Sequence, residues 1–157
     1  MQKIGPCLWF DGQAEQAANF YVSVFRNSKI VGISRYPEGL PMPAGSVLMV
    51  QFILEGEEFL ALNGGPQYKF TPAVSFVVHC QGQDEVDQMW RRLCEGGAEG
   101  QCGWLTDKYG VSWQIVPDAL IEMMNGSDAA ASNRAVAAMQ CMKKLEIAVL
   151  RRAYDNA

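Results

Sequence analysis

Histidine occurs only once in this sequence, at His79, and none of the five cysteines (Cys7, Cys80, Cys94, Cys102 and Cys141) stands in a CxxC pair. An odd set without paired spacing excludes a secreted disulfide framework, and the thiols read as reduced groups of a cytoplasmic protein. Charge is scarce, at 19% of residues against 49% apolar, which excludes the low-hydrophobicity regime in which a chain stays disordered. Basic charge is scarcer still: 13 Lys and Arg against 17 Asp and Glu leave a net charge of −4 and a pI near 5.0. The only basic clusters are the pairs Arg91-Arg92, Lys143-Lys144 and Arg151-Arg152, each suited to a solvated helix face. No nucleic-acid partner is implied. No stretch reaches the ~18 apolar residues of a membrane span, so no membrane partner is expected. Residues Met1-Gln2-Lys3-Ile4-Gly5-Pro6 lack the apolar core of a signal peptide.

What is present is an internal repeat. Shifted by seventy positions, Phe10-Asp11-Gly12-Gln13-Ala14-Glu15 falls on Cys80-Gln81-Gly82-Gln83-Asp84-Glu85, and Phe20 falls on Trp90. In each copy a short apolar strand, Cys7 to Phe10 or Val74 to Cys80, ends in a polar turn and enters a helix. Ala14, Ala17, Ala18, Tyr21, Val24 and Phe25 make one buried helical stripe; Val86, Met89, Trp90, Leu93 and Cys94 make the other. Shifted by fifty-four, Gly56 to Leu62 falls on Gly110 to Val116, each glycine opening a tight turn before a final strand. Lys29 to Tyr36, Ser46 to Leu54, Glu99 to Gln101 and Trp104 to Asp107 suit the strands between.

Each half therefore reads strand, helix, strand, strand, strand. The expected fold class is α+β, two tandem βαβββ modules in a single domain spanning 1–157. Module one covers about 1–65, module two about 66–117, and a helical extension about 118–157. A chain of this length buries roughly 70% of the surface its unfolded form exposes, enough for a core without staples. Leu62-Asn63-Gly64-Gly65-Pro66-Gln67 joins the modules, and Pro37 to Gly45, with three prolines, is a candidate mobile flap. In the extension, a short helix opens at Pro117-Asp118 and stops near Asn125-Gly126. A single longer helix is expected from about Ala129 to Tyr154, with Val136, Met139, Met142, Leu145, Val149 and Leu150 as its apolar stripe.

Several stretches carry a resemblance. Cys7-Leu8-Trp9-Phe10-Asp11-Gly12, Ala18-Asn19-Phe20-Tyr21, Leu62-Asn63-Gly64-Gly65-Pro66 and above all Cys102-Gly103-Trp104-Leu105-Thr106-Asp107-Lys108-Tyr109-Gly110-Val111-Ser112-Trp113-Gln114-Ile115-Val116-Pro117 are similar to the PhnB-like proteins. These form a branch of the glyoxalase / bleomycin-resistance / extradiol-dioxygenase (vicinal oxygen chelate) superfamily, often named 3-demethylubiquinone-9 3-methyltransferase-like. The resemblance runs through Met139 to Leu145. It implies sheets curled into a half-open cup, commonly completed by a homodimer, and a small-molecule ligand. In the superfamily's enzymes the cup holds a divalent metal as Lewis acid and template, with about three His or Glu ligands from first and last strands. Carried onto this chain, those positions fall near Pro6 or Cys7, Phe76, Leu60 and Gln114. None is His, Asp or Glu, so no metal ligand and no cofactor is expected, an atypical divalent metal being the alternative.

The expected ligand-binding residues are Gln114, Trp113, Phe76, Trp9 and Trp104: an aromatic wall around one amide able to orient a carbonyl without charge. The same aromatics also suit a sheet core. The catalytic residues are undetermined. His79 and Glu58 are the acid–base candidates, read against a hydrogen-bonded structural histidine and a solvated strand end. Cys102, in a Gly-rich turn, has no base at a diagnostic spacing. Two functions follow: a binding protein without a metal, or a lyase, isomerase or dioxygenase-like enzyme. No strand, Gly-rich turn and helix of a nucleotide-binding kind is present to support methyl transfer.

Overall fold

In the computed structural model residues 2–157 are described, and they carry eight strands and five helices. The first four strands are β1 (Cys7–Phe10), β2 (Lys29–Arg35), β3 (Val47–Leu54) and β4 (Glu57–Asn63), with α1 (Ala14–Val24) after β1. Then come β5 (Ser75–Cys80), α2 (Gln83–Cys94), β6 (Ala98–Glu99), β7 (Trp104–Thr106) and β8 (Ser112–Pro117). Helices α3 (Asp118–Met124), α4 (Ala129–Gln140) and α5 (Ile147–Asp155) close the chain. The strands form two four-stranded sheets, β1-β4-β3-β2 and β5-β8-β7-β6. In each the first and last strands pair in parallel and the others antiparallel. The repeat read from the sequence is thus a repeat of sheets. The chain divides into two compact units, the second spanning Phe70–Ala157.

In the first unit α1 packs on β3 and β4 through the expected stripe: Ala14, Ala17, Ala18, Tyr21 and Val24 are buried. Alternation along the strands sends Leu8, Phe10, Val50, Phe52, Leu54, Phe59 and Ala61 to the same side. Phe52 stacks between Tyr21 and Phe59, with centroids 6.4 and 5.4 Å away. Each such pair is worth about 0.5–1.5 kcal/mol beyond its buried area. The opposite face, carrying Cys7, Trp9, Gln51, Glu58, Leu60 and Leu62, has no helix of this unit over it. In the second unit α2 covers Cys80, Leu105, Trp113 and Ile115, while Val77, His79, Gln114 and Trp104 take the other side, left bare except at its Val116 end, which packs under the helical extension. Both sheets are open and uncurled rather than wrapped into the expected cup. In the second, the edge strand β6 is only two residues long and its neighbour β7 three.

The extension departs from expectation. Instead of one helix from Ala129 to Tyr154, α4 stops at Gln140 and α5 starts at Ile147. The six residues between leave the helix because their backbone is engaged elsewhere. Cys102 N–H donates to Met142 O and Gly103 N–H to Lys143 O, both at 2.8 Å. The Gln83 side chain donates to Leu145 O (3.0 Å) and accepts from Ile147 N–H (2.7 Å), so an amide at the start of α2 both holds this arm and caps α5. Leu145 is fully buried against Val116, Leu120, Met123, Ala135 and Leu150. Gly103 makes the approach feasible: at φ +84°, an added Cβ would lie 2.9 Å from Ile115 O and 3.0 Å from the Leu145 side chain.

Candidate functional site

The bare sheet faces hold most of the residues expected to bind a ligand, but not all. Gln114 is half-buried on the bare face of the second sheet, where its Nε2 donates to Ser75 Oγ at 2.9 Å. Trp104, its cross-strand partner, is half-buried on the same side. Those two are brought together. Trp113, adjacent in sequence, points to the other side, where it is 3% exposed and packs on Phe76 with centroids 5.4 Å apart. The structure therefore pairs Phe76 with Trp113 beneath α2 and Gln114 with Trp104 on the bare face. Trp9 belongs to the first sheet, its indole N–H donating to Gly65 O at 2.9 Å and its ring meeting Tyr68 edge-on at 5.0 Å. Gly64 has no room for a side chain, since a Cβ there would sit 2.3 Å from the Trp9 ring.

The acid–base candidates lie in different units. His79 is on the bare face of the second sheet with its side chain 60% exposed, and its Nδ1 stands 3.9 Å from Asp118 Oδ1 at the start of α3. Its register partner is Val116, one diagonal step from Gln114. Glu58 sits on the bare face of the first sheet, lining a hollow of ≈ 210 Å³ with Gln2, Pro6, Gln51 and Leu60. Its Oε2 accepts from Gln2 N–H (3.1 Å), while the Gln2 amide exchanges two further bonds with the Glu58 backbone. That pairing seals one edge of the hollow with the N-terminal segment.

The superfamily's metal positions can now be placed by side. In the first sheet Cys7 and Leu60 face the bare side and are register partners. In the second sheet the bare side carries Ser75, Val77 and Gln114, whereas Phe76 is turned toward α2, so the position read as Phe76 is corrected by one residue. The first unit thus offers a thiol at these positions, and the second a hydroxyl and an amide. Burial pushes the Cys7 thiol up, which opposes the thiolate a metal would need. Among the described residues no three His, Cys, Asp or Glu side chains converge where they could hold a metal ion. These residues do not fit the divalent metal of the superfamily's enzymes.

Two buried polar residues escaped the sequence reading, although both lie in motifs that carried the resemblance. Asp107 is 2% exposed. Its Oδ1 accepts from Tyr109 N–H (2.8 Å) and Val111 N–H (3.1 Å), and its Oδ2 from Trp113 Nε1 (2.8 Å), so it fixes the turn before β8 and the indole beside Gln114. Asn63 is 3% exposed and does equivalent work at the end of β4. Its Oδ1 accepts from Ala14 N–H (2.9 Å), its Nδ2 donates to Val47 O (3.0 Å), and its carbonyl accepts from the Tyr36 hydroxyl. It caps α1, whose own N-cap residue Gln13 makes no side-chain bond. The signal for both was a polar residue ending a strand just before a glycine-containing turn.

Comparison with known proteins bears on the same features. The family model described as 3-demethylubiquinone-9 3-methyltransferase matches residues 2–116. The PhnB protein from Bacillus cereus is 41% identical, over 74% of this chain and 99% of its own, with a TM-score of 0.68. Protein PA1353 from Pseudomonas aeruginosa is 18% identical over 74% of this chain and 98% of its own, with a TM-score of 0.62. The fosfomycin resistance protein FosX from Listeria monocytogenes is 15% identical over 73% of this chain and 92% of its own, with a TM-score of 0.52. The last two show likeness of fold alone. No curated protein matches the chain. The family match ends at residue 116, so the resemblance expected through Leu145 is not met there and α3, α4 and α5 lie outside it. The chain belongs to the PhnB-like 3-demethylubiquinone-9 3-methyltransferase family, built on the glyoxalase and bleomycin-resistance fold.

Proposed function

We propose that the protein binds a small organic molecule on the bare face of a sheet without using the superfamily's metal. The observation that carries this is Gln114: an uncharged amide at a position where the superfamily's metal chemistry needs a ligand, held by Ser75 and flanked by the Trp104 ring. Such an amide accepts and donates at once, which suits a carbonyl or amide group laid against an aromatic wall. Phe76 and Trp113 serve this face from behind, by fixing β8 through the Asp107 bond. In the first unit Trp9 is the corresponding aromatic, and a homodimer in the cytoplasm is the assembly in which the site would work. The family's name speaks of methyl transfer, but this chain offers no Gly-rich nucleotide turn to support it.

A second reading has one observation in its favour. His79 and Asp118 stand 3.9 Å apart on the side of the sheet that carries Gln114, an ion-pair spacing that must tighten before the carboxylate can orient the imidazole as the base of a lyase or isomerase. One set of measurements separates the readings. Ligand-observed NMR with a library of neutral carbonyl and amide fragments should give hits that Gln114→Ala and Trp104→Ala abolish and His79→Ala leaves intact. Titration with Mn, Fe, Ni and Zn salts should leave the melting temperature unchanged. Stoichiometric metal retained by the purified protein, and lost in Gln114→Ala or His79→Ala, would overturn the metal-free reading.

A further inference from the structure

A second cleft in the first unit lies away from the bare sheet face. It encloses ≈ 520 Å³ between the outward side of α1, residues 42–47 and the end of β4. That volume falls within the roughly 300–1,000 Å³ common for small-ligand sites. Its floor is Asn63, whose three bonds tie α1, β3 and Tyr36 together at one buried point. An amide offers two lone pairs and two N–H groups, and these bonds use only one of each on the side chain. The overhanging loop is braced as well. Gly45 N–H donates to Tyr36 O (2.9 Å), Tyr36 N–H to Ser46 O (2.8 Å), and Ser46 Oγ to Pro43 O (2.6 Å). Three walls fixed before binding lower the ordering cost a ligand must offset.

The lining decides the ligand's chemistry. Glu15 is the one ionisable residue among the lining residues, and the guanidinium of Arg35 at the loop's base is turned to Gly45 O (3.1 Å) instead. Gln16, Asn19, Ser46 and Asn63 supply uncharged hydrogen-bonding groups, while Met42, Pro43 and Val47 supply apolar surface. We propose that this cleft is a second binding site, separate from the bare faces, for a small organic cation: an ammonium group on Glu15, its carbon skeleton against Met42, Pro43 and Val47. A carboxylate-bearing molecule of the same shape is rejected by the Glu15 charge.

The test uses phenethylammonium and 3-phenylpropionate as matched probes, followed by amide chemical shifts of the 157-residue chain. Phenethylammonium is expected to shift residues 12–19 and 42–47 saturably, with Gln114 and Trp104 unmoved, and 3-phenylpropionate to leave them in place. In Glu15→Gln the affinity falls about fivefold, the loss of one partly exposed ion pair. Shifts that fail to saturate, equal binding of the carboxylate, or an unchanged affinity in Glu15→Gln overturns the proposal.

Discussion

Replacing Asp107 tests the internal support of β8. Its carboxylate receives three N–H groups, two of which belong to residues almost wholly buried: Trp113 at 3% and Val111 at 2%. In Asp107→Ala those two donors lose their partner, at about 1–3 kcal/mol each, while the Tyr109 N–H regains water more readily. Against this, the burial cost of the carboxylate itself is relieved, which leaves a net loss of about 3 kcal/mol. Asp107→Asn is milder: its oxygen can keep both turn N–H groups, but its NH2 then faces the Trp113 indole N–H, for about 1–2 kcal/mol. Urea unfolding followed by far-ultraviolet circular dichroism measures both, the midpoint moving at constant slope. Combined with Trp113→Phe, which removes the opposing donor, Asp107→Asn should cost about 1–2 kcal/mol less than the sum of the single changes. A loss below about 1 kcal/mol in Asp107→Ala, or strict additivity in the cycle, would refute the account of Asp107 as the support of Trp113.

Gln83→Ala removes both bonds to the arm and should destabilise it by about 1–2 kcal/mol, seen as faster hydrogen exchange from Met142 through α5 with α1 unaffected. Cys80, fully buried and held up to about 12 by burial and then by Glu85 and Asp118, should resist thiol reagents at neutral pH until the chain unfolds, whereas exposed Cys141 reacts at once. Lys144 lies 2.6 Å from Asp87, which lowers the Asp87 carboxyl and raises the Lys144 ammonium. A depressed carboxyl stabilises above its unfolded value and loses that as pH falls through the folded one; a raised ammonium stabilises at neutral pH and loses it at high pH. Both side chains are partly exposed, so Lys144→Met should cost well under ~1 kcal/mol at neutral pH, and the difference should vanish in acid.

How far the sequence carried can be read from particular residues. The stripes of α1 and α2 were legible because an amphipathic helix must repeat its apolar positions, and Tyr21 and Leu93 are both fully buried where that period placed them. Strand alternation put His79 opposite Phe76, and the exposed imidazole sits there. Alternation also held the means to see that Trp113 and Gln114 face opposite ways, which adjacency in a motif had obscured. The break between α4 and α5 left no local trace: residues 141–146 contain neither glycine nor proline, and what unwinds them is the backbone of Cys102 and Gly103 and the side chain of Gln83. Long-range hydrogen bonds of that kind carry no period. Asn63 and Asp107 were visible as motif letters only, because a polar residue at a strand end looks alike whether solvated or buried.

Gln83 has a meaning beyond its bonds. It belongs to the portion shared with the family and bonds Asp87 within it, yet its other side-chain partners, Leu145 and Ile147, belong to the portion the family match does not reach. A residue borrowed at this position from the Bacillus cereus relative, 99% of whose length is matched by 74% of this chain, must here also hold a segment outside that match. The effect of one substitution thus depends on whether a second, distant stretch of sequence is present. A hybrid protein that joins a relative's first 116 residues to this chain's extension should hold that extension more firmly when glutamine stands at position 83.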